Sequence, residues 1–454
     1  MKTRAISPKF LVLFATGYRL VLLVFQYAAN LLFEDFDTST WIDDRALDNS
    51  SLAVKNYFLN GLQKWDAVYF THIGQYGYTY EQMLAFFPCF PYMVSTIATF
   101  VNVIFNVEIT ATSFQWIALS VNFLSYLLAT VYMFYLTVEV TSKHHFASLS
   151  ALLFIVNPAN VFMMSSYTES LFAFLQFGLF YHLEKKCFLF ASLYLTFSIL
   201  TRSNGMLGSV FFVYFYLKYN HPEEIKRIIG EGPLLRLFSP LNFFKFTSTS
   251  LVKLSLLVVS IVAVFLPYVF KEIQTYNAFC KLSHCNQSRD HWCDGVIPMS
   301  YSYIQDHYWN VGLFRYWDIK QLPNFLLASP VVIIVFYHIQ DFLVGLKNLD
   351  IFLTFGILKH KTDERENDVL MPPARLFVYL CHCLFLTCFG LIGFHVQILT
   401  RMLFSSSPVL YWACATIIIR DLDHKLSKTR LVIGYFFVYN LIGVILHCNF
   451  YPWT

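Results

Sequence analysis

The run Phe10-Leu-Val-Leu-Phe-Ala-Thr-Gly-Tyr-Arg-Leu-Val-Leu-Leu-Val-Phe-Gln-Tyr-Ala-Ala-Asn-Leu-Leu-Phe33 decides the class of this protein. A helix needs about 20 mostly apolar residues to cross the hydrocarbon core of a bilayer, and this run meets that length. It is too long for the core of a signal peptide, and no small-residue cleavage site follows it, so it reads as an uncleaved first span. Lys2, Arg4 and Lys9 precede it and place the N-terminus in the cytosol by the positive-inside rule. Arg19 inside the run is expensive in lipid and should snorkel or pair.

The rest of the chain repeats the pattern. Of its 454 residues 57% are hydrophobic and 13% charged, with a mean hydropathy of +0.53, where soluble domains carry about 25% charged residues. Further apolar runs cover 83–105, 112–138, 146–183, 187–217, 254–270, 325–346, 376–400, 403–419 and 431–449. At roughly twenty residues each, these runs give an all-α polytopic membrane protein of about eleven spans. Through 139–217 the parity conflicts with a simple zigzag, since Lys143 and Lys185-Lys186 both read as cytosolic. The chain reads as one domain, 1–454. Its long loops are luminal at about 34–82 and 271–324, with amphipathic helices, and cytosolic at about 218–253 and 347–375. Sequons at Asn49 and Asn286 suit the luminal side, and the C-terminus falls there too. Cys280, Cys285 and Cys293 share one polar loop and can pair if it is oxidised. The net charge of +4 is spread over loops without a basic stripe, which argues against nucleic acid.

Chemistry concentrates in a few polar stretches. The first is Lys64-Trp-Asp-Ala-Val-Tyr-Phe-Thr-His-Ile-Gly-Gln-Tyr-Gly-Tyr-Thr-Tyr-Glu81, running on to Pro91. Trp65, Tyr69, His72 and Tyr76 recur at helical spacing, which predicts a helix flat on the membrane surface with its rings at headgroup level. Asp66 then stands at the water–lipid boundary, either as a base for a lipid-borne substrate or as a solvated carboxylate. Glu81 is a second acid there. Asn157-Pro-Ala-Asn160 and Ser165–Ser170 interrupt an apolar run, and Glu169 at the second break is either functional or half of a capping box with Ser166. Arg202-Ser-Asn204-Gly205 sets an arginine deep in an apolar segment, facing a phosphate, carboxylate or wet cavity, or else in a short loop between half-spans. In the second luminal loop Gln305, Trp309, Asn310, Arg315, Lys320 and Gln321 interleave aromatics with amides and cations, as sugar stacking and phosphate binding require; an interfacial aromatic belt has the same composition. Asp35-Phe-Asp37 has the DxD form but no supporting glycine or strand pattern, and adjacent His144-His145 cannot share a helix face. No metal-ligand constellation is seen.

Several of these stretches, in the same order along the chain, resemble the PIG-V family of mannosyltransferases of glycosylphosphatidylinositol (GPI) anchor synthesis. They are Trp65-Asp66 through Pro91, Asn157–Val161 with Tyr167–Ser170, Arg202–Gly205, Tyr308–Gly312 through Pro330, His395-Val-Gln397-Ile-Leu-Thr-Arg401 with Ser405–Pro408, and His447–Thr454. That family is similar to the C-type glycosyltransferases, whose first luminal loop carries a catalytic acid. The resemblance implies transfer of mannose from dolichyl-phosphate-mannose, in α1,6 linkage, to the first mannose of a GPI precursor. The site would lie in the endoplasmic reticulum membrane, facing the lumen. It implies lipid substrates, inversion, no cofactor and room for a small membrane partner subunit. Asp66 is then the expected base, with Arg202, Arg315, Lys320 and Arg401 as cations for the leaving phosphate. Two other classes compete. A membrane acyltransferase would want a His–Asn pair, with His395 or His447 as its histidine. A transporter or scramblase would favour internal repeats, which are not apparent.

Overall fold

A computed structural model describes residues 6–36, 57–229, 233–281, 292–295, 298–345, 350–357, 373–421 and 427–453. Among them the regular structure is helical. The first apolar run becomes α1 (Pro8–Leu32), with Pro8 in its first turn and the Ser7 hydroxyl accepting from the Phe10 amide at 3.3 Å. The first loop carries α2 (Asp66–Tyr76). Then come α3 (Cys89–Phe105), α4 (Ala111–Thr141), α5 (His144–Ile155), α6 (Asn160–Met164), α7 (Glu169–Glu184), α8 (Phe188–Thr201) and α9 (Gly208–Asn220). The second half adds α10 (Leu251–Tyr276), α11 (Ser300–Trp309), α12 (Leu322–Gly345), α13 (Pro373–Gly393), α14 (Leu399–Ser406), α15 (Val409–Asp421) and α16 (Ser427–Cys448).

Six stretches among the described residues have the length and apolar character to cross a membrane: α1, α4, Leu251–Lys281, Ile319–Gly345, Ala374–Gly393 and α16. A seventh crossing arises if Val396–Ser406 and α15, which meet at 80°, form one broken span. The expectation of about eleven treated the apolar runs between 144 and 220 as full crossings. Their breaks instead leave helices of 16 residues or fewer.

Side-chain amides satisfy the backbone groups those breaks expose. Asn157 Oδ1 accepts from the Ala159 amide at 2.8 Å, and Asn160 Nδ2 donates to the Ile155 carbonyl at 2.8 Å. From outside the break, Asn122 Nδ2 donates to the Tyr167 carbonyl at 2.9 Å, and Asn440 Nδ2 to those of Val156 (2.9 Å) and Asn157 (3.0 Å). The interrupted segment is therefore held from α4 and α16 together. Around it, α4, α5, α7 and α15 pack a common core. Buried Trp412 donates its indole N–H to Thr137 Oγ1 at 2.8 Å there, and Tyr126 its hydroxyl to the Ile155 carbonyl at 2.9 Å. Arg19 does not snorkel. Its guanidinium lies 3.9 Å from the centre of the Tyr126 ring, inside the bundle.

In the second long loop Cys280 and Cys293 form a disulfide, with Cα atoms 5.7 Å apart. Cys285, Asn49, Asn286 and Asp37 lie outside the described residues. Asp35 is described: its Oδ2 accepts from the buried Lys64 ammonium at 2.7 Å, so it serves an ion pair. His144 and His145 are the first two residues of α5.

Candidate active site

The flat-lying aromatic stripe expected on α2 does not form. Three of its rings turn inward: Trp65 packs edge-on against Phe450 at 5.8 Å, Tyr69 stacks on Phe86 at 4.5 Å, and His72 is buried with Nε2 2.7 Å from Thr79 Oγ1. Of the four, only Tyr76 stays exposed. The helix also buries Ala67, Phe70 and Ile73 on the opposite side, so it is clasped by the protein instead of floating on a surface. At its start Trp65 has φ 57° and ψ −125°, backbone angles that residues other than glycine rarely adopt. This kink sets Asp66 in the first turn of α2, where a carboxylate suits the helix dipole, and at the wall of a cavity of about 410 Å³.

Four parts of the chain bring charge to that cavity. The start of α2 brings Trp65 and Asp66, and the start of α7 brings Thr168 and Glu169. The turn after α8 brings Arg202, Ser203 and Asn204, and the turn into α14 brings His395, Gln397 and Arg401. Four charges form an alternating row. Asp66 Oδ2 accepts from Arg401 Nη1 at 2.7 Å, Arg401 Nη1 lies 3.8 Å from Glu169 Oε1, and Arg202 Nη1 donates to the same Glu169 oxygen and, at 3.2 Å, to Thr168 Oγ1. Glu169 is fully buried and its Oε2 has no hydrogen-bond partner. The capping-box alternative for Glu169 is not built, because the Ser166 hydroxyl has no partner and no side chain caps α7. Burial of the Glu169 carboxylate is tolerable because two guanidiniums, Arg202 and Arg401, reach it.

Uncharged groups complete the lining. Asn204 Nδ2 donates to Ser406 Oγ at 2.9 Å, fixing the turn after α8 to α14. Gln305 and Trp309 come from α11, and Trp309 meets Phe86 edge-on at 6.1 Å. His395 stacks on Tyr316 at 4.6 Å, and burial pushes its imidazole below the usual range.

The other candidates lie elsewhere. His72 is occupied by Thr79. Both oxygens of Glu81 are taken, Oε1 by the Trp292 indole N–H at 2.7 Å and Oε2 by the Tyr308 hydroxyl at 2.9 Å, which locks the two long loops together. Arg315 is exposed and pairs with Asp306, with Asn310 Oδ1 at 3.4 Å. Lys320 is exposed, and Gln321 Oε1 accepts from Asn324 at 2.7 Å. None of these six residues lines the cavity. Arg315, Asn310 and Gln321 sit in segments that fold on themselves, so their polar ends meet near neighbours in sequence. Conversely, Tyr167, Ser203, Tyr301 and His447 line the cavity without having been singled out as substrate contacts. The signal for Tyr167 and His447 was their place in the Ser165–Ser170 break and the aromatic tail; Tyr301 carried none beyond its aromatic surroundings.

The sequence profile of the family described as Mannosyltransferase (PIG-V) matches residues 8–454. The chain belongs to the PIG-V mannosyltransferase family. It is therefore a glycosyltransferase, and neither the acyltransferase nor the transporter class is retained. GPI alpha-1,6-mannosyltransferase 2 of Mus musculus is 31% identical, over 99% of this chain and 99% of its own. GPI mannosyltransferase 2 of Drosophila melanogaster is 28% identical, over 97% of this chain and 98% of its own. Among solved structures, an oligosaccharyltransferase of Archaeoglobus fulgidus aligns over 97% of this chain with TM-score 0.38 and 12% identity. This chain spans 56% of that longer protein, and a likeness so distant carries no weight for the site. As a PIG-V family member the protein is a multi-pass membrane enzyme of GPI-anchor biosynthesis.

Proposed function

We propose that the protein transfers mannose from dolichyl-phosphate-mannose, in α1,6 linkage, to the first mannose of a GPI precursor. Its cavity faces the lumen of the endoplasmic reticulum, with the N-terminus cytosolic and the C-terminus luminal. The observation that carries this reading is the meeting of Asp66, Arg401, Glu169 and Arg202 at one cavity wall. An acceptor hydroxyl oxygen attacks the anomeric carbon, the carbon–oxygen bond to phosphate breaks, and its electron pair leaves on the phosphate. Asp66 takes the hydroxyl proton as the carbon becomes oxocarbenium-like. Attack opposite the leaving group inverts a β-linked donor to an α-linked product. Arg202 and Arg401 face the charge that develops on the phosphate, while Trp309 and Gln305 offer stacking and hydrogen bonding to sugar. With two guanidiniums in that role the step needs no metal and no cofactor. Asp66 stands beside Arg401 before any substrate arrives, so phosphate entry would draw the guanidinium toward itself and leave the carboxylate to act.

The test is transfer by the purified protein from dolichyl-phosphate-mannose to a monomannosylated GPI lipid, with the product linkage read by NMR. An α1,6 product formed in the presence of EDTA supports the reading. Loss of turnover on chelation, restored by manganese, overturns the metal-free step, and a different linkage overturns the acceptor assignment.

A further inference from the structure

A single hydroxyl spans the kink that sets Asp66. The Tyr167 oxygen accepts from the Asp66 amide N–H at 3.2 Å and lies 3.3 Å from the Lys64 carbonyl oxygen, to which the hydroxyl donates. It thus bridges the two peptide groups on either side of Trp65, the residue with φ 57°. A tyrosine hydroxyl has one proton, and here it goes to the Lys64 carbonyl. The third contact, His447 Nε2 at 3.1 Å, must then be a donor, which assigns His447 the tautomer with Nε2–H. His447 Nδ1 has no hydrogen-bond partner, in keeping with an unprotonated nitrogen. Both side chains are 1% exposed, and both rings pack on Phe162, at 5.5 and 5.3 Å. The Lys64 ammonium adds a second anchor through Asp35 and through Asn60 Oδ1 at 3.2 Å.

From this geometry, and resting on Asp66 as the base, we infer that Tyr167 and His447 are positioning residues of the reaction. They hold the strained Trp65 turn in the one conformation that points the Asp66 carboxylate at the cavity. Tyr167 comes from the break before α7 and His447 from the last turn of α16, so the C-terminal helix sets the base carried by the first luminal loop. When the clasp is cut, the turn relaxes and Asp66 drifts. Substrate contacts from Arg202, Trp309 and Gln305 remain.

The test uses the full-length protein with dolichyl-phosphate-mannose and a monomannosylated GPI lipid. Tyr167→Phe, His447→Leu and His447→Gln are each made alone and in an Asp66→Asn background. Tyr167→Phe and His447→Leu are expected to lower kcat about ten- to a hundred-fold, the cost of misplacing a reacting group by roughly 1 Å, with donor KM unchanged. His447→Gln keeps an N–H near the place of Nε2 and should stay within a few-fold of the parent, as measured for activity. In the Asp66→Asn background none of the three should lower the residual rate further, because the group they position is gone. Equal losses in both backgrounds, a rise in donor KM that accounts for the loss, or equal damage by Gln and Leu at 447 would each reduce the pair to general packing and overturn the inference. Full activity of Asp66→Asn itself would instead overturn the base assignment, a different failure read from a different variant.

Discussion

Asp66 and Glu81 lie in one stretch of the first long loop, and both were carboxylates of interest from sequence. They do opposite things. Asp66 has a side chain 32% exposed at the cavity and a single guanidinium on Oδ2. Glu81 is shut between two neutral donors, an indole N–H and a phenol, one on each oxygen. A carboxylate committed at both oxygens is a joint between loops. One paired with an arginine across a cavity is in a position to exchange that partner for a substrate. The comparison extends to the cations: Arg401 and Arg202 face the cavity, while Arg315 closes a local pair with Asp306 on an exposed turn.

The sharpest way to break the contrast is to remove the charge from each acid. Asp66→Asn keeps the shape and is expected to cost about 10²–10⁴-fold in kcat. Glu81→Gln should leave kcat within a few-fold. Steady-state kinetics on both variants would reverse the assignment if Glu81→Gln were the dead enzyme.

The arginines form the next test. Arg202→Ala removes a charge-assisted contact worth about 1.5–3 kcal/mol, so donor kcat/KM should fall roughly ten- to a hundred-fold. Arg315→Ala should leave it near the parent value, since exposed ion pairs contribute about 0–1 kcal/mol. Equal effects on donor use would erase the distinction between cavity and rim.

Stability separates the two acids in the other direction. Glu81→Gln leaves one of its two donors facing an NH₂ group, at about 1–3 kcal/mol. Thermal unfolding in detergent should show Glu81→Gln melting below Asp66→Asn; the opposite order would make Asp66 the structural acid.

The smallest effect concerns His395. Burial lowers its folded pKa, so the unfolded chain binds its proton first as pH falls. Its contribution to stability is present above the ordinary histidine range of about 6.5 and declines as pH drops through it toward the depressed folded value. His395→Gln should flatten that part of the pH dependence of unfolding. An unchanged slope would show that His395 is not buried neutral in solution.

The amino-acid sequence by itself determined the membrane class, the first apolar helix, the places where apolar runs break, and the family. Each of these is a local property: a bilayer imposes a length on every apolar helix, and Asn157-Pro-Ala-Asn160 or Arg202-Ser-Asn-Gly205 interrupts a helix wherever it stands. Glu169 and Arg202 were also legible as expensive residues in apolar segments, Asp66 as a carboxylate at the water–lipid boundary, and Arg401 through the family resemblance. Which of them share a wall was not, because Asp66 and Arg401 lie at opposite ends of the chain and meet only when α14 folds back beside α2. The aromatic stripe on α2 misled for a related reason. Helical spacing says which rings share a side, but the partner waiting there was Phe86 or Phe450 instead of lipid. Only the tertiary structure could separate Glu81 from Asp66, or Arg315 from Arg202, since the residue types are alike and the difference is what reaches their polar ends. The same holds for the short helices between 144 and 220. Their composition reads as spans, yet Asn122 and Asn440 from distant helices stabilise the breaks that keep them short. Composition fixed where the chain can enter a membrane. The charges face one cavity because burying a carboxylate or a guanidinium is affordable only where its opposite arrives from elsewhere in the fold.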